Sequence, residues 1–482
     1  MNQHWRLSRR RLLAGAAAFG AVGLAAPALA QQPPTGNGAG ATLPARANLV
    51  IRNAYVMTMD ARIKDIPNGD VHVKDGVIVA VGAGISAPDA QAIDGAGMIV
   101  LPGLIETHWH MWNTLLRDMS GDKRELGYFP TVAAIGKHYT PDDMYQGARL
   151  ACLEAINSGI TFVHDWCHNI RAPAYAEADM RALREAGIRA RFSYGPSQGH
   201  SPKQTVDLAD IERLHKDWPK YANDGLISLG LAWRGLGGNN AANSIPPEVY
   251  KTEVDTARKL GIPISVHASG SKPAAGQVER IAKAGLLGKD MQIIHANVAT
   301  AEEIKAMAEA GASVSESPYT ELRIGFGLPQ TGKFLAAGIP VGLSVDTTVL
   351  SGNADMFAVM KAVQNLENGI AENEFKLNAR RTLELGTIEG ARSMGIDHQV
   401  GSLSPGKRAD LIMVSTREPN MGVFTDPAHM IVTAAEPSNV DTVIVDGRVL
   451  KRGGRLTAMK TAQVLAEASA ANAAVRKRAN WW

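Results

Sequence analysis

Five residues of this chain have the type and placement to hold and use a metal ion. His108 and His110 form a His-x-His pair at the end of the apolar run GLIETHWH, residues 103–110. On a β-strand that spacing points both imidazoles to one face. His267 lies near the end of PISVHASG (263–270), His295 in MQIIHANV (291–298) and Asp346 in PVGLSVDT (340–347). Alone, a His-x-His pair is more often a packed or surface feature than a ligand pair. Imidazoles and one carboxylate at the ends of four such runs suit one borderline divalent cation, with Zn²⁺ expected before Fe²⁺.

Positioning these side chains requires strands whose ends share one face. Eight β-like runs, at 103–110, 159–166, 188–195, 226–233, 263–270, 291–298, 312–319 and 340–347, alternate with helix-period segments, several of which end in Gly. This predicts an α/β fold, a (β/α)8 TIM barrel over 104–397, with its active site at the C-terminal strand ends. An open doubly wound sheet lacks support, since no strand precedes a Gly-rich phosphate loop. Short alternating strands in 47–103 and again in 398–458 predict a small composite β-sandwich built from both chain ends. The Ala-rich stretch 459–482 reads as a helical tail, and its terminal Trp481-Trp482 pair as a contact element of a homo-oligomer or of its own barrel.

The 482 residues are 45% hydrophobic, 20% charged and 5% aromatic, which excludes disorder and fibrous repeats. The net charge of +3 derives from Arg6, Arg9, Arg10 and Arg11 in an acid-free leader, so the body gives no reason to expect nucleic acid or an anionic membrane as partner. That leader, residues 1–30, joins Arg9-Arg10-Arg11 to a weakly apolar run and Ala28-Leu29-Ala30. It reads as a twin-arginine signal peptide, followed by a flexible linker over 31–46. The expected partner is the export machinery, and the expected location of the mature, membrane-free protein is the periplasm or the medium. Cys152 and Cys167 have no framework spacing and are read as free.

Three longer stretches carry a resemblance. VLPGLIETHWH, LSPGKRADLIMV and SESPYTELRIGFGLPQTGKFLAAGIPVGLSVDTTVLSGNADMF resemble the amidohydrolase superfamily, in its cytosine deaminase and triazine hydrolase-like branch. The resemblance covers about residues 48–455. It implies that His108, His110, His267 and Asp346 bind a single metal, and that His295 contacts the metal-bound water or the substrate. No Lys stands in 226–233, so the carbamylated lysine of two-metal members is not expected. A divalent ion lowers the pKa of its water to about 7. Asp346 is then expected to accept that water's proton, and His295 to orient the nucleophile and stabilise the developing charge.

One departure matters for the reaction. Deaminases of this branch carry a Glu three residues after the fifth-strand His, which protonates a ring nitrogen; here His267 is followed by Ala268, Ser269 and Gly270. A carbonyl does not need that acid, because a metal polarises its oxygen directly. The expectation is hydrolysis of a non-peptide C–N bond of amide, lactam, carbamate or urea type in a small cyclic or aromatic molecule. The alternatives are a heterocycle deaminase or dechlorinase with a substitute acid, and an inactive barrel that only binds. Glu316 and His164 are the expected substitutes, while Asp165 or His168 is expected to fix a ligand imidazole. The pocket is expected to be walled by Trp109, Trp112, Trp166 and Trp233, with His200 near the third strand, Arg234 facing a substrate carboxylate, and RGLGGNN (234–240) as a covering loop.

Overall fold

In the computed structural model, residues 43–238 and 244–481 are described. The leader, most of the linker, Asn239 and Asn240 of the expected covering loop, and Trp482 lie outside the described residues. Eight parallel strands form the central sheet: β1 (Leu104–Trp109), β2 (Ile160–Ile170), β3 (Arg189–Pro196), β4 (Ile227–Trp233), β5 (Ile264–Ala268), β6 (Met291–His295), β7 (Ser313–Glu316) and β8 (Val341–Leu343). Each pairs with the next in sequence order. Closure comes from the chain just past β8. Trp109 and Asp346 form a parallel bridge. The His110 N–H donates to the Asp346 carbonyl at 2.7 Å, and the Asp346 N–H to the His108 carbonyl at 3.0 Å. The sheet is the expected barrel, and its seam is tied at the proposed ligands.

Local chemistry sets the connecting helices. Thr140 and Asp143 cap the helix Pro141–Asn157 reciprocally, and Pro141 supplies the fixed φ favoured in a first turn. The helix Pro173–Ala186 stops at Gly187, whose φ of 70° is left-handed.

The second sheet joins nine strands from both chain ends in one hydrogen-bonded array. Its strands Met98–Pro102, Leu411–Ser415 and Val440–Val445 depart from the expected alternation, the first two being nearly continuous apolar runs. One face of these strands carries Val100, Leu411, Met413 and Ile444 into the sheet's own core. The other carries Ile99, Leu101, Ile412, Val414, Val443 and Val445 into the barrel's core. A strand buried on both faces has no reason to alternate. Arg189 of β3 reinforces the junction with two bonds to Asp410, at 2.6 and 3.0 Å.

The tail forms the helix Thr461–Arg478, which buries Val464, Ala468, Ala471 and Val475 at helical spacing. Asn472 donates to the Leu115 carbonyl at 2.6 Å, and Trp481 packs against the barrel core. No described helix is long and apolar enough to cross a membrane.

Candidate metal centre

His108, His267, His295 and Asp346 place ligand atoms within 4.8 Å of one another, and the remaining expected ligand, His110, joins them through its contact with Asp346. His108 Nε2 lies 3.2 Å from His267 Nε2 and 3.2 Å from Asp346 Oδ1. His110 Nε2 is 3.3 Å from the same Asp346 oxygen. Burial first, and neighbouring imidazoles second, hold all three histidines well below the usual range, so they are neutral. Two neutral rings facing each other nitrogen to nitrogen share one hydrogen at most. A tetrahedral ion with ligands at about 2.0–2.1 Å separates them by about 3.4 Å. The donor set therefore fits one divalent cation. The His110 Nδ1–H donates to the Trp166 carbonyl at 3.1 Å, which leaves Nε2 free as a ligand. That carbonyl, and neither Asp165 nor His168, fixes the tautomer.

His295 stands beside this set, its Nε2 3.9 Å from Asp346 Oδ2. His295 Nδ1 lies 3.0 Å from Glu321 Oε1, which also accepts from the Ser317 N–H at 2.8 Å. Asn297 donates to the other Glu321 oxygen at 3.1 Å. Burial pulls the His295 pKa down, but the bond to Glu321 and the charge of Asp346 outweigh it, and the net shift is upward. Asp346 is pushed up to about 6 by burial, with His295 opposing. His295 and Asp346 both have left-handed backbones, φ 75° and 61°. Such strain collects where a side chain must be aimed.

Below the ligands, Glu106 Oε1 accepts from the N–H groups of His108 (3.1 Å) and Val345 (3.2 Å), tying β1 to the end of β8. Glu321 and Glu106 were not expected from the sequence. SPYTE resembles a helix start, and Pro318–Ile324 is a helix, but nothing in the sequence shows the Glu321 carboxylate reaching across to β6.

A cavity of about 390 Å³ opens over the cluster. Tyr128, Phe129, Trp166, Ile324, Phe326 and Leu350 supply its apolar walls, and Gln198, Ser271, Gln277 and Thr320 its polar lining. Asp346 is the only carboxylate that lines it among the described residues.

Several expected residues lie elsewhere. His164 is fully buried beneath the ligands, bonded to the Thr107 carbonyl and the Ser193 hydroxyl, each at 2.8 Å. Glu316 is sealed behind β7, where it accepts from the Gln330 N–H (2.8 Å) and the Thr331 hydroxyl (2.6 Å). Neither reaches the cavity, so neither replaces the missing acid. Asp165 lies outside the barrel wall, clustered with Cys167 and Asp179, and Cys152 and Cys167 are buried free thiols.

Of the four expected tryptophans, Trp166 alone lines the cavity. Trp109 and Trp233 are core residues, and Trp112 sits behind His168. His200 bonds the Thr205 carbonyl at 3.0 Å and does not line the cavity, although its neighbour Gln198 does. Arg234 pairs with buried Glu253 at 2.9 Å and donates to two carbonyls, which removes it as a substrate partner. These errors share a cause: a strand end has two faces, and just past it the alternation that assigns them is lost.

Comparison with known proteins agrees with this geometry. Residues 99–450 match the model of the amidohydrolase family. A 5'-deoxyadenosine deaminase of Methanothermobacter thermautotrophicus is 31% identical over 84% of this chain and 95% of its own. A 5-methylthioadenosine/S-adenosylhomocysteine deaminase of Moorella thermoacetica is 29% identical over 87% and 97%. Among solved structures, an adenosine deaminase from Xanthomonas campestris with bound zinc superposes with a TM-score of 0.79 at 23% identity, over 90% of this chain and 100% of its own. The barrel, its converging imidazoles and the match along most of the chain make this protein a member of the amidohydrolase family, a metal-dependent hydrolase acting on C–N bonds.

Proposed function

We propose that this protein is an exported hydrolase that cleaves the C–N bond at the carbonyl carbon of a small, neutral, flat amide, lactam, carbamate or urea, and that its ion is zinc. One observation carries the choice of bond: among the described residues the cavity is lined by no carboxyl group besides Asp346, and position 270 is a glycine. Attack on an aminopurine or aminopyrimidine calls for an acid at the ring nitrogen. Attack on a carbonyl does not. Aromatic and aliphatic walls, with no Lys or Arg among the described lining residues, suit an uncharged planar molecule.

His108, His110, His267 and Asp346 would hold the ion, which when bound supplies an acidified water and polarises a carbonyl oxygen. The chain's own residues do the rest. Asp346 accepts the proton of the attacking water and passes it to the leaving nitrogen. His295, whose Nδ1–H donates to Glu321, presents Nε2–H as an imidazolium, the form favoured by Glu321 and Asp346, to the oxygen that gains negative charge. The twin-arginine pattern of the leader supports export by the machinery that carries folded proteins, into the periplasm or beyond.

Deamination is the second reading, and the named activities of the relatives favour it. Zinc-loaded enzyme given anilides, carbamates and ureas beside aminopurines, aminopyrimidines and chlorotriazines separates the two. Mass spectrometry should show acid and amine fragments from the first group. Ammonia from aminoheterocycles, with the carbonyl compounds untouched, would establish the second reading instead.

A further inference from the structure

We infer that His168 is a substrate-contacting hydrogen-bond donor, locked by Trp112 into the tautomer that presents Nε2–H to an acceptor atom of the substrate. The inference rests on the reading of this cavity as the active site. His168 lies in β2, two residues beyond Trp166, and both line the cavity. Its ring is edge-on to that of His110, with centroids 4.3 Å apart, so a molecule over the ligands also passes His168.

The lock follows from which atoms can accept. Indole nitrogen is a donor only. Trp112 Nε1 lies 3.3 Å from His168 Nδ1, so Nδ1 must be the acceptor and the ring hydrogen must sit on Nε2. The Trp166 carbonyl is farther from the same Nδ1, at 3.5 Å, and already accepts from His110 at 3.1 Å. Trp112 is itself fully buried and stacked edge-on against Tyr139, with centroids 5.0 Å apart, so it has no freedom to turn away. Nε2 has no partner among the described residues. His168 is partly buried and lines the cavity, so this donor is open to an acceptor there, and a bound molecule that sealed it off unpaired would bear a cost.

The consequence is selectivity. The site favours substrates with a neutral acceptor, a carbonyl oxygen or ring nitrogen, on the side facing β2. It discriminates against a CH isostere there, because His168 would be left buried and unpaired. The donor stands on the strand-2 side and leaves Gly270, beside His295, without an acid. It positions the substrate and does not supply the missing proton.

Two measurements test this on zinc-loaded full chain. Nitrogen-15 spectra of histidine-labelled enzyme, with His168 assigned from His168→Gln, should show the Nε2–H tautomer; Trp112→Phe should give a mixture. A Nδ1–H tautomer in the wild type overturns the lock.

With a substrate from the panel above, His168→Phe should lower kcat/KM about tenfold, mainly through KM, at unchanged zinc content. His168→Gln, which can both accept from Trp112 and donate, should restore most of it. The acceptor-to-CH analogue should be a poorer substrate for the wild type and equal for His168→Phe. Equal kcat/KM for wild type and His168→Phe overturns the contact. If no carbonyl substrate is cleaved but an aminoheterocycle is, the choice of bond fails, while the same variants on that substrate still decide the role of His168.

Discussion

Glu321→Gln is the sharpest probe of how this site is held. The Glu321 carboxylate is fully buried and receives hydrogens from His295, Ser317 and Asn297 at 3.0, 2.8 and 3.1 Å. Glutamine keeps the volume and one acceptor oxygen for His295 and Ser317. Its new NH₂ faces Asn297, which can turn its amide because Asn297 Oδ1 has no partner. What is lost is the charge on the bond to His295. A charge-assisted hydrogen bond is worth about 1.5–3 kcal/mol and a neutral one about 0.5–1.5, a difference of about 1–1.5 kcal/mol. If His295 Nε2 stabilises the developing charge, kcat/KM should fall about five- to tenfold. Zinc content and the denaturation midpoint should change little. Glu321→Ala, by contrast, strands three buried donors at about 1–3 kcal/mol each and should destabilise the fold measurably. The assay is kcat/KM on a substrate from the panel, with metal analysis of the same sample. A Gln variant within twofold of wild type at full metal occupancy would refute the role given to His295.

Dialysis against a chelator should abolish turnover and added Zn²⁺ restore it, with circular dichroism unchanged; activity surviving at under one-tenth residual metal would contradict the site. Arg189→Met leaves Asp410 buried without its cation and should cost about 3–5 kcal/mol in urea unfolding, with kcat of the folded enzyme preserved; a loss below about 1 kcal/mol would show the junction does not depend on this pair. Glu316 carries a carboxyl raised to about 8, chiefly by burial and then by Glu321. A carboxyl pKa raised on folding gives stability present below the unfolded value near 4.5 and lost as pH climbs through the folded value. Glu316→Gln should therefore flatten the loss of stability between about pH 5 and 9. It should also retain activity at pH 7, and a loss of turnover there would return Glu316 to the list of proton donors.

Much of the site was legible because its periodicities are short. The His-x-His pair, the alternation of apolar strand with capped helix, and Asp346 at the end of the last β-run led to a barrel and a ligand set that the structure places together. The pocket was much less legible. Trp109 and Trp233 sit at strand ends as expected, yet both are buried in the core. Arg234 looked available until the fold brought Glu253 to it from the helix Pro247–Leu260.

The sequence by itself determined that strand and helix alternate, that five metal-capable side chains stand at strand ends, and that position 270 offers no acid. These are properties of residue type and of spacings of two to four along one element. Only the tertiary structure decided that Glu321 braces His295, that a backbone carbonyl sets the His110 tautomer, that Glu316 and His164 are sealed away, and that Trp112 donates to His168. Each of those is a contact between elements far apart in the chain, and chain-remote contacts follow from how barrel, helices and loops close on one another.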